Sequence, residues 1–254
     1  MTFEELRSLI SDTIFNISLN AQAKVDKDFK KDIDNSIYII SKSFLILDTI
    51  LNHTDQEKVS DRVFDSQAIL WQGGNSLIGS LQLIRQGYTL EPQFLMRYAI
   101  ENLAMVLSFH TENAELYYQK FNNGDLSGEK CVGEARKLVK QIGPIYGLLS
   151  EVTHPSKKTL GYLYMLERKT VLIGGGVTDT TLHRVKMNLA ILQFLSNIYW
   201  SSSELIFSDY LDKYTFWSKD GDIMKWAPKE EEKDIYERSL SLFQEAISAL
   251  TQKS

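Results

Sequence analysis

The sequence predicts an all-α fold: a single-domain antiparallel bundle of about eight or nine helices over residues 1–254, with room for one short β-hairpin near residues 160–177. Three observations point there. Apolar residues recur three and four apart through most of the chain, which is helix spacing. Only four prolines interrupt it, Pro92, Pro144, Pro155 and Pro228, so long stretches carry no strong helix breaker. The connections between periodic segments are short, and short connections make neighbouring helices antiparallel.

The first helix is expected from Phe3 to about Lys24, with Thr2 as N-cap and Glu5 placed to complete a capping box. A second, rich in Ile and Leu, runs from Phe29 to about Asn52. A third spans Ser60 to Gln86 and is closed by Gly87, the residue type that best tolerates the left-handed turn after a helix. The fourth, Thr89 to His110, holds Pro92 in its first turn, where a missing N–H costs nothing. A short fifth helix, Ala114 to Asn122, stops at Asn123-Gly124. The sixth is expected from Glu129 to about Ile142 and the seventh from Pro144 to about Thr153, before Pro155. The eighth is long, Asp179 to about Tyr214, and the ninth is charged and amphipathic, Lys229 to Gln252. Between the seventh and eighth, Tyr162, Tyr164, Val171 and Ile173 suit strands, so the segment reads as a hairpin or as a loop with a helical turn. Residues 215–228 read as an irregular connection containing Trp217 and Trp226. No repeat or composition shift marks a domain boundary.

Composition narrows the function. A hydrophobic fraction of 43% and a charged fraction of 24% fit a chain with a real core. With 28 basic and 33 acidic residues the net charge is −5, so no general nucleic-acid surface is expected. One cysteine, Cys131, excludes an internal disulfide and a Cys-rich zinc site; on a helix face with Val132, Ala135 and Leu138 it reads as a core thiol. The start of the chain lacks the basic and apolar regions of a signal peptide, which points to the cytoplasm. The most apolar stretch, Leu189 to Phe207, is broken by Gln193, Asn197 and Glu204, so no membrane span is expected.

No phosphate loop, dinucleotide fingerprint, nucleophile elbow or HExxH zinc helix is present. Glu151 and His154 form a single Glu-x-x-His pair, whereas a di-iron bundle needs two such pairs. No cofactor and no metal are therefore expected.

The fourth helix carries the informative pattern. From Phe94 to Phe109 it is apolar nearly all round, which marks a central helix. Gln93, Arg97, Glu101, Ala104 and Ser108 form one narrow stripe, with Arg97 and Glu101 four apart as an ion pair, while Asn102 stands elsewhere. The stripe is a solvent-facing seam, a buried structural pair, or the lining of a cleft. The third helix, with Gln72-Gly73-Gly74-Asn75, is a candidate to face it, Gln72 and Asn75 bonding to Arg97 or Glu101. Its glycines allow close helix packing or leave room for a ligand.

The runs Leu83-Ile84-Arg85-Gln86-Gly87, Arg97-Tyr98-Ala99-Ile100-Glu101 and Glu151-Val152-Thr153-His154 resemble a family of uncharacterised all-helical bacterial proteins, themselves compared with HEPN-type domains of toxin and phage-defence systems. The resemblance covers about residues 60 to 160. It implies a role in bacterial stress or phage defence and brings Arg97, Glu101 and His154 together as a candidate catalytic group. The chain departs from the HEPN ribonuclease pattern, in which a His follows the Arg by four to six residues: Asn102 and Leu103 occupy those places after Arg97. The expected function is binding of a partner or small ligand by a homo-oligomeric bundle. The alternative is a HEPN-like phosphodiesterase or ribonuclease.

Overall fold

The structure is a computed structural model describing residues 2–53, 59–154, 176–221 and 223–251, together with 164–165 and 170–171. It is all-α, as the spacing requires. The N-terminal rod consists of α1 (Phe3–Asp12), one π-helical turn (Thr13–Ile17) and α2 (Ser18–Asp28). The capping box forms: the Thr2 hydroxyl accepts from the Glu5 N–H at 3.2 Å, and the Glu5 carboxylate accepts from the Thr2 N–H at 2.6 Å. The bundle continues with α3 (Lys30–His53), α4 (Asp61–Arg85), α5 (Glu91–Ser108), α6 (Ala114–Asn122), α7 (Gly128–Ala135), α8 (Ile142–Thr153), α9 (Asp179–Ile206) and α10 (Glu230–Thr251).

Helix α4 ends as expected on Gly87, at φ +79°. The Gly87 N–H reaches Ile84 O and the Tyr88 N–H reaches Leu83 O, both at 3.0 Å, which satisfies the last carbonyls. Only glycine fits there, because a Cβ would lie 2.8 Å from the Gly176 carbonyl oxygen.

Helices α5 and α9 form the centre. Met96, Ala99, Ile100, Leu103, Ala104, Val106 and Leu107 of α5 are fully buried, as are Leu192, Leu195 and Tyr199 of α9. The apolar stretch read at Leu189–Phe207 is thus a core helix, and no helix among the described residues is long and apolar enough to cross a membrane. Gly73 and Gly74 of α4 serve packing. A Cβ on Gly73 would overlap the Tyr199 hydroxyl, and one on Gly74 would come within 2.8 Å of the Phe44 ring. The Tyr199 hydroxyl donates to Leu70 O at 2.6 Å in the same place.

Three boundaries differ from expectation. The sixth helix does not reach Ile142: α7 stops at Ala135, and α8 starts at Ile142 with Pro144 inside its first turn. Leu138 and Val139 keep helical spacing in sequence, yet they sit in the turn and line a cavity against the last helix. The eighth helix stops at Ile206, not Tyr214, and is followed by a 3₁₀ turn, Ser208–Tyr210. There the chain is drawn back: Glu204, 2% exposed, accepts the Thr215 and Phe216 N–H groups at 2.9 and 2.8 Å.

Two short antiparallel hairpins accompany the helices. In the segment read as a possible hairpin, β1 (Tyr164–Met165) pairs with β2 (Thr170–Val171); the rest of 155–175, including Gly174 and Gly175, lies outside the described residues. The connection read as irregular holds a second hairpin, β3 (Trp217–Asp220) with β4 (Ile223–Trp226), in register Trp217↔Trp226. Gly221 supplies the left-handed residue at the end of β3, at φ +62°.

Candidate functional site

Arg97 lies on the face of α5 that meets α8, and its side chain is 18% exposed. Its Nε donates to Glu101 Oε1 at 2.9 Å, one turn on in the same helix. Nη1 donates to the Thr153 hydroxyl at 3.0 Å and Nη2 to the Tyr146 hydroxyl at 3.1 Å. The guanidinium carbon also stands 5.3 Å from the centre of the Tyr146 ring. Thr153 passes the chain onward, donating to Leu149 O at 2.8 Å. Burial opposes the charge on Arg97, but the bonds to Glu101 and Tyr146 outweigh it and hold the guanidinium above its usual pKa. Glu101 is 22% exposed, and Gly128 at the start of α7 covers its backbone so closely that a Cβ there would lie 2.5 Å from the Glu101 Cβ.

The stripe read on α5 is therefore divided among neighbours. Gln93, 1% exposed, turns to α9 and donates to Asn188 Oδ1 at 2.9 Å. The Ser108 hydroxyl donates back to Met105 O. Arg97 and Glu101 meet α8 and α7. Helix α4 does not face the pair: it packs against the other side of α5, where the Gly73 backbone approaches Asn102. Gln72 and Asn75 are accordingly exposed, and the Arg97 donors go to Glu101, Thr153 and Tyr146. His154 is the C-cap of α8, exposed, with its backbone N–H on Ser150 O. Its neighbour Thr153 is the residue that meets Arg97. Among the described residues no three His, Cys, Asp or Glu groups converge as a metal site. Cys131 is buried, and burial raises its thiol pKa, so the thiolate is disfavoured.

Tyr146 connects this node to an open cleft of about 610 Å³ between α7, α8 and the turn joining them. Arg136, Lys140, Gly133 and Gly143 also line it. Lys137 takes the nearby carboxylates Glu112 and Glu134, at 3.3 and 3.0 Å. Arg136 and Lys140 are exposed and pair with no carboxylate among the described residues. At Gly133 no atom stands within 4 Å of where a Cβ would be, so the absent side chain leaves the cleft open. Two unpaired cations beside a phenol with a fixed hydroxyl make an environment that favours an anion.

Sequence reasoning found Arg97 and Glu101 but missed Tyr146, Thr153, Arg136 and Lys140. A signal for the first two existed: they lie seven apart, on one face of a helix whose Ile142, Ile145, Leu149 and Val152 point inward. Arg136 and Lys140 were hidden because the spacing extends a helix through the turn that carries Lys140. Comparison with protein families, with curated proteins and with solved structures finds no match for this chain. The resemblance to HEPN-type domains therefore rests on the short runs quoted above.

Proposed function

We propose that this chain acts by binding a small anion, a phosphate or carboxylate group, in the α7–α8 cleft. The observation that carries this reading is the pair of cations Arg136 and Lys140, which line the cleft beside Tyr146 and meet no carboxylate among the described residues. A charge-assisted hydrogen bond is about twice as strong as a neutral one, and two of them in a cleft select for negative charge. Arg97 serves as the support behind the cleft, because the hydrogen bond from its Nη2 fixes the Tyr146 hydroxyl. Calorimetric titration with inorganic phosphate tests the proposal. Binding by the native chain, weakened at least tenfold in the Arg136→Ala/Lys140→Ala double variant, is expected. Equal binding by the two proteins, or none by either at millimolar phosphate, counts against it.

The expected self-association has its own support. Helix α1 buries none of its residues, and Phe3, at 74% exposed, lies on one face with Ile10, at 44%. We propose that this face packs against its counterpart in a second copy. Sedimentation should show a dimer that Phe3→Asp/Ile10→Asp converts to a folded monomer; a native monomer at 100 times the working concentration argues against it.

A further inference from the structure

On the other side of the α7–α8 turn lies a second cavity, of about 370 Å³. Lys140 lines both this cavity and the cleft. Three aromatic rings line it, Trp217 and Trp226 from the β3–β4 hairpin and Tyr236 from α10, among aliphatic residues such as Leu138 and Val139 from the turn and Ile198 and Leu240 from α9 and α10. Trp226 stands between the other two rings, 5.3 Å from Trp217 at 87° and 5.2 Å from Tyr236 at 60°. It is stacked at 5.3 Å on Phe216, which is fully buried. The Trp217 indole N–H donates to Ser201 O at 2.8 Å, which fixes its ring plane. Glu204 anchors the start of the hairpin through the Thr215 and Phe216 amides. The rings are thus held rigidly, yet Trp226 remains 45% exposed.

The aromatic cluster is covered on its inner side by Phe216 and left open at Trp226, its most exposed ring. It opens onto a cavity, and the cation at that cavity is Lys140. A cationic guest would gain from the ring faces but meet the ammonium of Lys140. A flat ring gains by stacking or edge contact with Trp226 and Tyr236. A negative group on that ring has Lys140 beside it and Arg136 further along the cleft. We propose that the ligand is an aromatic anion, a flat ring bearing a phosphate or a carboxylate, with its ring against Trp226 and Tyr236 and its charge at Lys140. This rests on the reading of the α7–α8 cleft as an anion site and names the class of molecule that site takes.

Titrations of the full chain, followed by calorimetry and tryptophan fluorescence, test it with four probes: inorganic phosphate, adenosine, AMP and indole-3-acetate. At least one of the two aromatic anions should bind at least tenfold more tightly than phosphate, and AMP should also exceed adenosine if it is that anion. Binding should change the emission of Trp217 and Trp226. Trp226→Ala should remove the advantage over phosphate while leaving phosphate affinity unchanged, and Trp226→Phe should restore most of it. Lys140→Ala should weaken the aromatic anion about tenfold, with circular dichroism confirming that each variant folds. If phosphate binds and neither aromatic anion binds better, or if Trp226→Ala keeps the advantage, the aromatic inference is overturned while the anion reading stands. If none of the four probes binds, both are overturned.

Discussion

The Arg97 guanidinium on α5 and the Thr153 hydroxyl on α8 are joined by a 3.0 Å hydrogen bond, which ties the last turn of α8 to the central helix. Tyr146, two turns earlier on α8, takes a second donor from the same guanidinium at 3.1 Å. One side chain therefore sets both the position of α8 and the wall of the cleft. The arrangement is intermediate between an exposed ion pair and a buried one, since Arg97 and Glu101 keep 18% and 22% of their side-chain surface.

Removing Glu101 should reveal that intermediate character. Glu101→Ala leaves a largely buried guanidinium with only its Thr153 and Tyr146 partners. Hydrogen bonds to charged groups contribute about 1.5–3 kcal/mol, so a loss in that range is expected in denaturant melts. A loss below about 0.5 kcal/mol would mark the pair as a solvated seam.

Thr153 and His154 should behave differently although they are neighbours. Thr153→Val keeps the shape, removes the acceptor for Arg97 and should cost about 1–2 kcal/mol. His154→Ala changes an exposed position that Arg97 does not use and should cost less than Thr153→Val. Equal losses in thermal and denaturant melts would contradict the placement of Thr153 as the partner.

The difference between those two residues also shows what the sequence could reveal. The spacing of apolar residues was enough to identify α3, α4 and α5 to within a residue or two, because each buries a continuous face; α6 buries no residue fully, and its end is marked instead by Asn123-Gly124. It also identified the Arg97–Glu101 pair, since both partners lie four apart on one helix. It could not rank Thr153 above His154, because residues one apart on a helix differ by about 100° and only the placement of α5 decides which one faces inward. Likewise Gln72 and Asn75 have suitable chemistry, but Gly73 and Gly74 turn the packed face of α4 toward Tyr199 and Phe44. The second hairpin escaped notice because its anchor is Glu204, a contact eleven residues away along the chain and invisible to local patterns.

His110, just beyond the end of α5, gives the molecule an acid-sensitive point. Burial, and then the charge of Arg62, lower its pKa from 6.5 to about 4, and its Nε2 is buried with no hydrogen-bond partner among the described residues. The unfolded chain binds a proton near pH 6.5, whereas the folded chain does so only near pH 4. Stability is therefore full above pH 6.5, falls as the pH drops through that window, and levels off below about 4. The loss is on the order of 3 kcal/mol. Melts from pH 7.5 to 4 should show this slope, and His110→Gln should flatten it; an unchanged slope in the variant would refute the assignment.

Glu204 offers the opposite sign. Its carboxyl pKa is raised by burial, against the pull of the Phe216 and Thr215 amides. A raised carboxyl favours the neutral form, so its charge costs stability above the raised value and that cost fades as the pH falls through it. Glu204→Gln keeps an oxygen to accept the two amides and removes the charge, so its stability at pH 7 should stay within about 1 kcal/mol of the native chain. Glu204→Leu instead leaves both amides without an acceptor, at about 1–3 kcal/mol each. Because those amides begin the β3–β4 segment, the damage should concentrate there: faster amide exchange at Thr215 and Phe216, and red-shifted emission as Trp226 loses its packing on Phe216 and Trp217 its contact with Trp226. Wild-type exchange and emission in Glu204→Leu would show that the hairpin is held by its aromatic contacts alone.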